Sequence, residues 1–228
     1  LDREAVKRFR ENALNPTHPV SRGTAQNDDV YFQTRELQNS YYKAVPGIVA
    51  KYMEEISKVT GRNYAPFVFY GDPEATDVIV AMGSVTEAIE ETVDYLVAHG
   101  KKVGLVTVHL YRPFSNEYLF KVMPKTVKRI AVLDRTIEPG SIGEPLYLDI
   151  KAAYYGMENA PLIIGGRYGL SSKDTTPSQI NAVYENLAGE AKDRFTIGIN
   201  DDVNYTSLEV KEEIDVADKD TTELLFYG

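Results

Sequence analysis

From Asp77 onward the chain alternates short apolar runs with segments whose apolar residues recur every three or four positions, the pattern of parallel β-α-β units. Val78-Ile79-Val80-Ala81-Met82 is predicted to be a buried strand that Gly83 turns out of the sheet. Val85, Ala88, Ile89, Thr92, Val93, Leu96 and Val97 then fall on one helical face, and Gly100 closes the helix. At its start, Ser84-Val85-Thr86-Glu87 has the Ser-x-x-Glu form in which hydroxyl and carboxylate reciprocally satisfy free backbone N–H groups. Val103-Gly104-Leu105-Val106-Thr107-Val108 predicts a second strand, Asn116 to Val122 a short helix, and Arg129-Ile130-Ala131-Val132-Leu133 a third strand. Strand starts lie roughly 25 residues apart, near the ~30 of a compact β-α-β unit. Ser141-Ile142-Gly143-Glu144 repeats the capping form before a helix to about Tyr155, and Leu162-Ile163-Ile164 gives a fourth strand. A further helix, from about Pro177 to Leu187, places Ile180, Val183, Tyr184 and Leu187 on one face. Right-handed crossovers put helices on both sides of such a sheet. The predicted class is α/β, an open, mostly parallel sheet flanked by helices.

The pattern before Asp77 differs. A charged, helix-like run (Asp2-Arg3-Glu4-Ala5-Val6-Lys7-Arg8-Phe9) is followed by Leu14 to Thr34, rich in Pro, Asn, Asp and Thr and without a sustained period. Glu36 to Thr60 reads as one long amphipathic helix carrying Tyr42, Val45, Ile48, Val49, Tyr52 and Ile56, with Pro46 expected to start or kink it. Beyond Val203 the chain turns acidic (Glu209, Glu212, Glu213, Asp215, Asp218, Asp220), which reads as a solvated linker, and Leu224 to Gly228 reads as a strand cut short. The expected organisation is a domain tail and connector helix over 1–71, an α/β domain over 72–202, and a linker with the first strand of a next domain over 203–228. The two ends suggest a piece of a longer protein.

Of the 228 residues, 43% are hydrophobic, enough for a globular core, while no apolar run is long enough to span a bilayer. A net charge of −9 opposes binding to a phosphate backbone, so neither nucleic acid nor membrane is expected as a partner, and a cytoplasmic setting is. The chain has no cysteine, which removes disulfides, thiol nucleophiles and iron–sulfur ligands from it. His18, His99 and His109 do not make a zinc spacing, and no metal is expected.

Candidate chemistry gathers where strands end. Gly165-Gly166-Arg167-Tyr168-Gly169-Leu170-Ser171-Ser172-Lys173-Asp174 puts flexible backbone, hydroxyls and two cations directly after an apolar strand. Its glycines permit close approach, and Arg167, Ser171 and Lys173 are the donors that phosphate recognition uses. The same loop also suits a charged segment that docks one domain on another. Gly83-Ser84 resembles a phosphate turn but equally starts a plain capped helix, and neither a three-glycine dinucleotide fingerprint nor a Gly-Lys-Ser/Thr is present. Asp134-Arg135-Thr136-Ile137-Glu138 lies where open α/β sheets collect ligands, yet Arg135 and Glu138 suit a mutual pair as well. Arg112 is expected to make a structural hydrogen bond, and Asn200-Asp201-Asp202 to cap a turn. No complete active site is legible.

One family brings these segments together in order. Arg22-Gly23-Thr24-Ala25-Gln26-Asn27, Leu110-Tyr111-Arg112-Pro113-Phe114, Val132-Leu133-Asp134-Arg135-Thr136, Glu138-Pro139-Gly140, Gly143-Glu144-Pro145-Leu146-Tyr147-Leu148-Asp149, Gly165 to Lys173 and Ile199-Asn200-Asp201-Asp202-Val203 resemble the middle of a pyruvate:ferredoxin (or flavodoxin) oxidoreductase. The resemblance covers nearly the whole chain. It implies a large enzyme, expected to be homodimeric, that uses thiamine diphosphate with Mg2+ to decarboxylate pyruvate, passes electrons through [4Fe–4S] clusters to ferredoxin or flavodoxin, and forms acetyl-CoA from CoA. Residues 1–71 would then end the pyrimidine-binding domain, and 72–202 would be similar to the carboxyl-terminal domain of transketolase. The thiamine and cluster ligands of the family have no matching positions here. The implied role is architectural, packed against other domains of the same polypeptide, with Arg167, Ser171 and Lys173 contacting a phosphate of CoA or ordering the loop that does. A non-catalytic interaction module and a relative acting on another 2-oxo acid are the alternatives.

Overall fold

In the computed structural model, residues 1–20, 23, 25–217, 220–222, 224 and 226 are described. Arg22 and Thr24 of the Arg-Gly-Thr motif, Asp218 of the acidic stretch, and Leu225, Tyr227 and Gly228 of the expected last strand lie outside the described residues. The chain divides into two compact units, residues 1–43 and 44–228.

The first unit contains α1 (Arg3–Glu11), whose start is capped by Asp2 accepting from the Ala5 N–H at 3.0 Å. It also contains the beginning of α2 (Asp28–Thr60), which starts well before the expected Glu36. The Asn27-Asp28-Asp29 run, read as loop from composition, forms the first turn, where acidic side chains favour the positive end of the helix dipole. Pro46 neither starts nor ends α2; the helix continues past it although Pro supplies no N–H to the Tyr42 carbonyl.

The second unit is built on a six-stranded sheet. Its strands are β1 (Phe67–Gly71), β2 (Asp77–Ala81), β3 (Val103–Val108), β4 (Arg129–Asp134), β5 (Leu162–Arg167) and β6 (Phe195–Thr196), in spatial order β1-β3-β2-β4-β5-β6. All pairings are parallel except β1 with β3. The sheet thus reaches back to Phe67, across the expected 71/72 boundary. One face is covered by α3 (Val85–Ala98) and α6 (Pro177–Ala188), whose Ile89, Val93, Ile180 and Val183 pack on Ile79, Leu105, Ala131 and Ile164. The other is covered by α4 (Asn116–Val122) and α5 (Pro145–Tyr154), with Leu119, Leu146 and Ile150 against Val78, Val80, Val106 and Val132. Burial on both faces explains why β2, β3 and β4 read as continuous apolar runs without alternation.

Neither expected Ser-x-x-Glu box forms. Ser84 already has helical backbone angles (φ −63°, ψ −22°), so its hydroxyl does not reach back over the first turn of α3. Before α5, Ser141 instead closes a local turn with Gly143, and the helix is capped from a distance. The Leu146 and Tyr147 N–H groups each donate to the Asp134 carboxylate at 3.0 Å. The reciprocal box that does form is Thr176 with Gln179 at α6.

The acidic stretch beyond Val203 differs from a freely solvated linker. Thr196 N–H donates to Thr206 O at 2.9 Å and Leu208 N–H to Thr196 O at 2.8 Å, extending the sheet edge, and Ile214 N–H donates to the Ser178 hydroxyl at 3.0 Å. Among the described residues its charged side chains and Tyr205 face water, while its backbone is tied to β6 at Thr206 and Leu208 and to α6 at Ile214.

Candidate functional site

The chain leaves β2 for β3 on one side and later crosses back to β4 on the other, so the carboxyl ends of β2 and β4 diverge toward opposite faces. Open α/β sheets bind ligands at such a switch point. A cavity of ≈ 200 Å³ opens there, between the start of α3, the residue that follows β4 and the loop that follows β5.

Each wall has a local cause. At the β2–α3 turn Gly83 takes φ +81°, and the uncapped start of α3 leaves the Ser84 and Val85 N–H groups without backbone or side-chain acceptors among the described residues. Arg135 emerges directly after β4 and clamps the opposite loop, donating from Nε to Gly169 O at 2.8 Å and from Nη2 to Ser172 Oγ at 3.1 Å. That loop runs in left-handed conformation at Gly169 (φ +61°), Ser171 (+55°) and Ser172 (+60°), a cost of about 1–2 kcal/mol for each serine. Tyr168 forms the floor, 6% exposed; among the described residues its hydroxyl finds only the Met82 carbonyl, at 3.5 Å, the limit of a hydrogen bond. Burial pushes the Tyr168 hydroxyl pKa up, while the facing Arg135 works against that shift. Lys173 completes the rim; its ammonium has no carboxylate within 4.0 Å among the described residues, although Asp174 also lines the opening. The site therefore presents two cations, a tyrosine hydroxyl and free helix N–H groups against one carboxylate, an arrangement that suits an oxyanion.

The expected site residues part company here. Lys173 lines the cavity. Ser171 is exposed beside it, outside the lining. Arg167 is elsewhere: its Nη1 lies 3.2 Å from Glu144 Oε1, its Nη2 donates to Arg194 O at 3.2 Å, and the two charged side chains are only 20% and 5% exposed. The first three residues of the expected loop are in fact strand, and their glycines admit aromatic rings: a Cβ on Gly165 would lie 2.9 Å from the Tyr147 ring, and one on Gly166 2.3 Å from that of Phe195. Arg135 does not pair with Glu138, since its hydrogen bonds go to Gly169 and Ser172. Arg112 pairs with Asp149 at 2.7 Å, and Asp202 caps its own turn by accepting from the Asn204 N–H at 3.2 Å. Tyr168, read as part of the loop after the strand, gave no separate signal as a site residue. The convergence of Ser84, Arg135 and Lys173 comes from strand order, which periodicity alone does not supply.

Among the described residues no group of three or more His, Cys, Asp or Glu gathers to hold a metal ion, and no helix is long and apolar enough to cross a membrane.

Comparison with known proteins gives a consistent family. Residues 75–180 match the family model described as pyruvate:ferredoxin oxidoreductase core domain II. The chain is 57% identical over 230 residues to a pyruvate-flavodoxin oxidoreductase of Enterobacter agglomerans and 56% identical over 229 residues to a pyruvate:ferredoxin oxidoreductase of Moorella thermoacetica. In both cases all of this chain is covered and 20% of the relative, so the chain spans about a fifth of the length of the curated relatives it matches. A solved 2-oxoglutarate:ferredoxin oxidoreductase from Magnetococcus marinus, with 2-oxoglutarate, coenzyme A and succinyl-CoA bound, aligns with 54% of this chain and 20% of its own at 20% identity and a TM-score of 0.40, too loosely to compare side chains.

Proposed function

The chain belongs to the pyruvate:ferredoxin oxidoreductase family, and we propose that it serves within a longer polypeptide that converts pyruvate and CoA to acetyl-CoA and CO2. The electrons would pass to ferredoxin or flavodoxin. The observation that carries this reading is the identity of 57% along the entire chain to a relative named for that reaction. Within such a polypeptide, residues 1–71, 72–202 and 203–228 would serve as domain tail and connector, α/β domain, and link to the next domain. A cytoplasmic homodimer is the assembly proposed.

The cofactors that the family implies do not fit this chain's own residues. It has no cysteine for an iron–sulfur cluster and, among the described residues, no cluster of acids to hold Mg2+ beside thiamine diphosphate. Those groups would sit in other parts of the longer polypeptide. The chain's contribution is to pack and position. Lys173, which lines the cavity, with Ser171 beside it, would meet a phosphate of CoA, while Arg167 would act at a distance, through Glu144 and Arg194, by fixing the end of β5 from which that loop departs.

Purified longer protein, assayed for pyruvate-dependent reduction of ferredoxin and of flavodoxin with and without CoA, tests the activity. Reduction with a different 2-oxo acid and none with pyruvate would transfer the chain to a sister enzyme. Lys173→Gln is expected to raise the KM for CoA with little change in kcat. An unchanged KM would leave the chain purely architectural, a reading that the Glu144–Arg167 pair already favours for Arg167.

A further inference from the structure

The geometry points to an oxyanion site within this chain: the switch-point cavity takes a phosphoryl group of a phosphate ester or diphosphate, held by Lys173, Arg135, the Tyr168 hydroxyl and the N–H groups of Ser84 and Val85. This rests on the proposed contact of Lys173 with a phosphate and deepens it, adding Arg135, Tyr168 and the first N–H groups of α3 as partners, and it holds whichever molecule carries the phosphoryl group.

Three independent features converge on it. The first is charge. In a chain of net charge −9, two cations line one small cavity, and neither has a carboxylate within 4.0 Å among the described residues. The second is the Tyr168 hydroxyl, on a side chain more than nine-tenths buried yet left with one contact at 3.5 Å. A buried hydroxyl without a good partner costs free energy, and an oxyanion seated against Arg135 gives it an acceptor. The third is α3, fourteen residues long, whose first N–H groups face the cavity unspent. Ser84, the residue that would normally cap them, is itself helical, so the amides remain available to a ligand.

Size sets the ligand class. At ≈ 200 Å³ the cavity falls below the roughly 300 Å³ at which pockets begin to enclose whole small molecules. It has room for a phosphoryl or diphosphoryl group, with any nucleoside or longer chain lying outside over exposed Leu170. Asp174 on the rim disfavours a ligand whose charge extends in that direction and selects for one that enters head first.

The test uses the 228-residue chain and inorganic pyrophosphate, followed by amide chemical shifts at low ionic strength, with orthophosphate as a second arm. Saturable shifts at Ser84, Val85, Gly169 and Lys173 are expected. Lys173→Gln should weaken binding roughly tenfold, the loss of one charge-assisted contact. Tyr168→Phe, which removes only the hydroxyl, should weaken it about three- to tenfold. Lys125→Gln with Lys128→Gln, at the opposite end of the sheet, should leave it unchanged. Shifts scattered over the lysines, equal weakening by the Lys125 and Lys128 substitutions, or full affinity in Lys173→Gln would each overturn the site. Tighter binding of pyrophosphate than of orthophosphate would assign a diphosphate, and the reverse a monoester. Pyruvate-dependent activity of a longer enzyme reports separately on the enzymatic reading, so failure of this phosphate site leaves that activity standing.

Discussion

Glu144 and Arg167 form an ion pair at 3.2 Å that is closed off from solvent more completely on the acid's side than on the cation's. Glu144 ends the loop before α5, and Arg167 ends β5, so the pair ties the carboxyl edge of the sheet to the start of the helix that covers it. Removing one partner of such a pair strands the other charge. Full burial would make that cost roughly 3–5 kcal/mol; with Arg167 a fifth exposed, Arg167→Met is expected to lose about 2–3 kcal/mol in urea unfolding. It should leave pyrophosphate affinity unchanged, whereas Lys173→Gln should do the opposite. A single substitution that moved both quantities would place Arg167 at the anion after all.

Gly166 illustrates why a glycine-rich segment need not be a ligand loop. Its missing side chain is the space occupied by the Phe195 ring, with Leu133 Cδ2 a further 2.9 Å contact for any added Cβ. Phe195 is fully buried and carries β6. Gly166→Ala therefore forces the ring or the strand to move, an overpacking cost of about 1–3 kcal/mol, and the upper end is expected because two partners are rigidly buried. Thermal unfolding checks it. A variant as stable as the parent would mean that β6 gives way without cost.

The alternation of apolar runs and helical faces made β2 to β5 and α3 to α6 legible, because strands buried on both faces and helices buried on one leave distinct periods. β1 escaped that reading. Phe67-Val68-Phe69-Tyr70-Gly71 is a half-buried antiparallel edge strand with no crossover helix to announce it. β6 is two residues long and has no period at all. The Ser-x-x-Glu boxes at Ser84 and Ser141 were legible but unused: one serine is already helical, and the other helix takes its cap from Asp134. Lys173 was visible from residue type. Its partners Arg135 and Ser84 follow other strands, so their meeting depends on the order in which those strands lie.

Asp134 holds that distant cap at a price set by burial. Desolvation raises its pKa above the ordinary 3.8, against the pull of the Leu146 and Tyr147 N–H groups. A carboxyl group with a raised folded pKa keeps its proton to higher pH in the folded chain than in the unfolded one, so its contribution to stability falls as pH rises from 3.8 through the folded value. Asp134→Asn removes that titration while keeping one acceptor for the helix. The stability difference between parent and variant should therefore shift toward the variant across that window. A difference independent of pH would mean that the two N–H groups fully offset desolvation. Asp134→Ala, with no acceptor at all, should lose about 1–2 kcal/mol more than Asp134→Asn, with the same pH trend relative to the parent.

Tyr184 gives the corresponding argument at the alkaline end. Its hydroxyl donates to Gly104 O at 2.9 Å from inside the α3–α6 face of the core, and burial raises its pKa well above 10, with Asp77 acting in the same direction. The unfolded chain releases this proton near 10 and the folded chain does not. Stability from this group is thus intact below pH 10 and declines above it by about 1.4 kcal/mol per pH unit until the folded pKa is reached. Tyr184→Phe should be about 1 kcal/mol less stable at pH 8, through the lost hydrogen bond. It has no proton to lose, so by about pH 11 the gap should close or reverse. Tyr70, Tyr111 and Tyr154, each raised to about 12, titrate in both proteins and cancel from the comparison. Urea unfolding at the two pH values decides it: a gap unchanged between them would show that Tyr184 ionises in the folded chain as readily as in the unfolded one, and that this part of the core admits water.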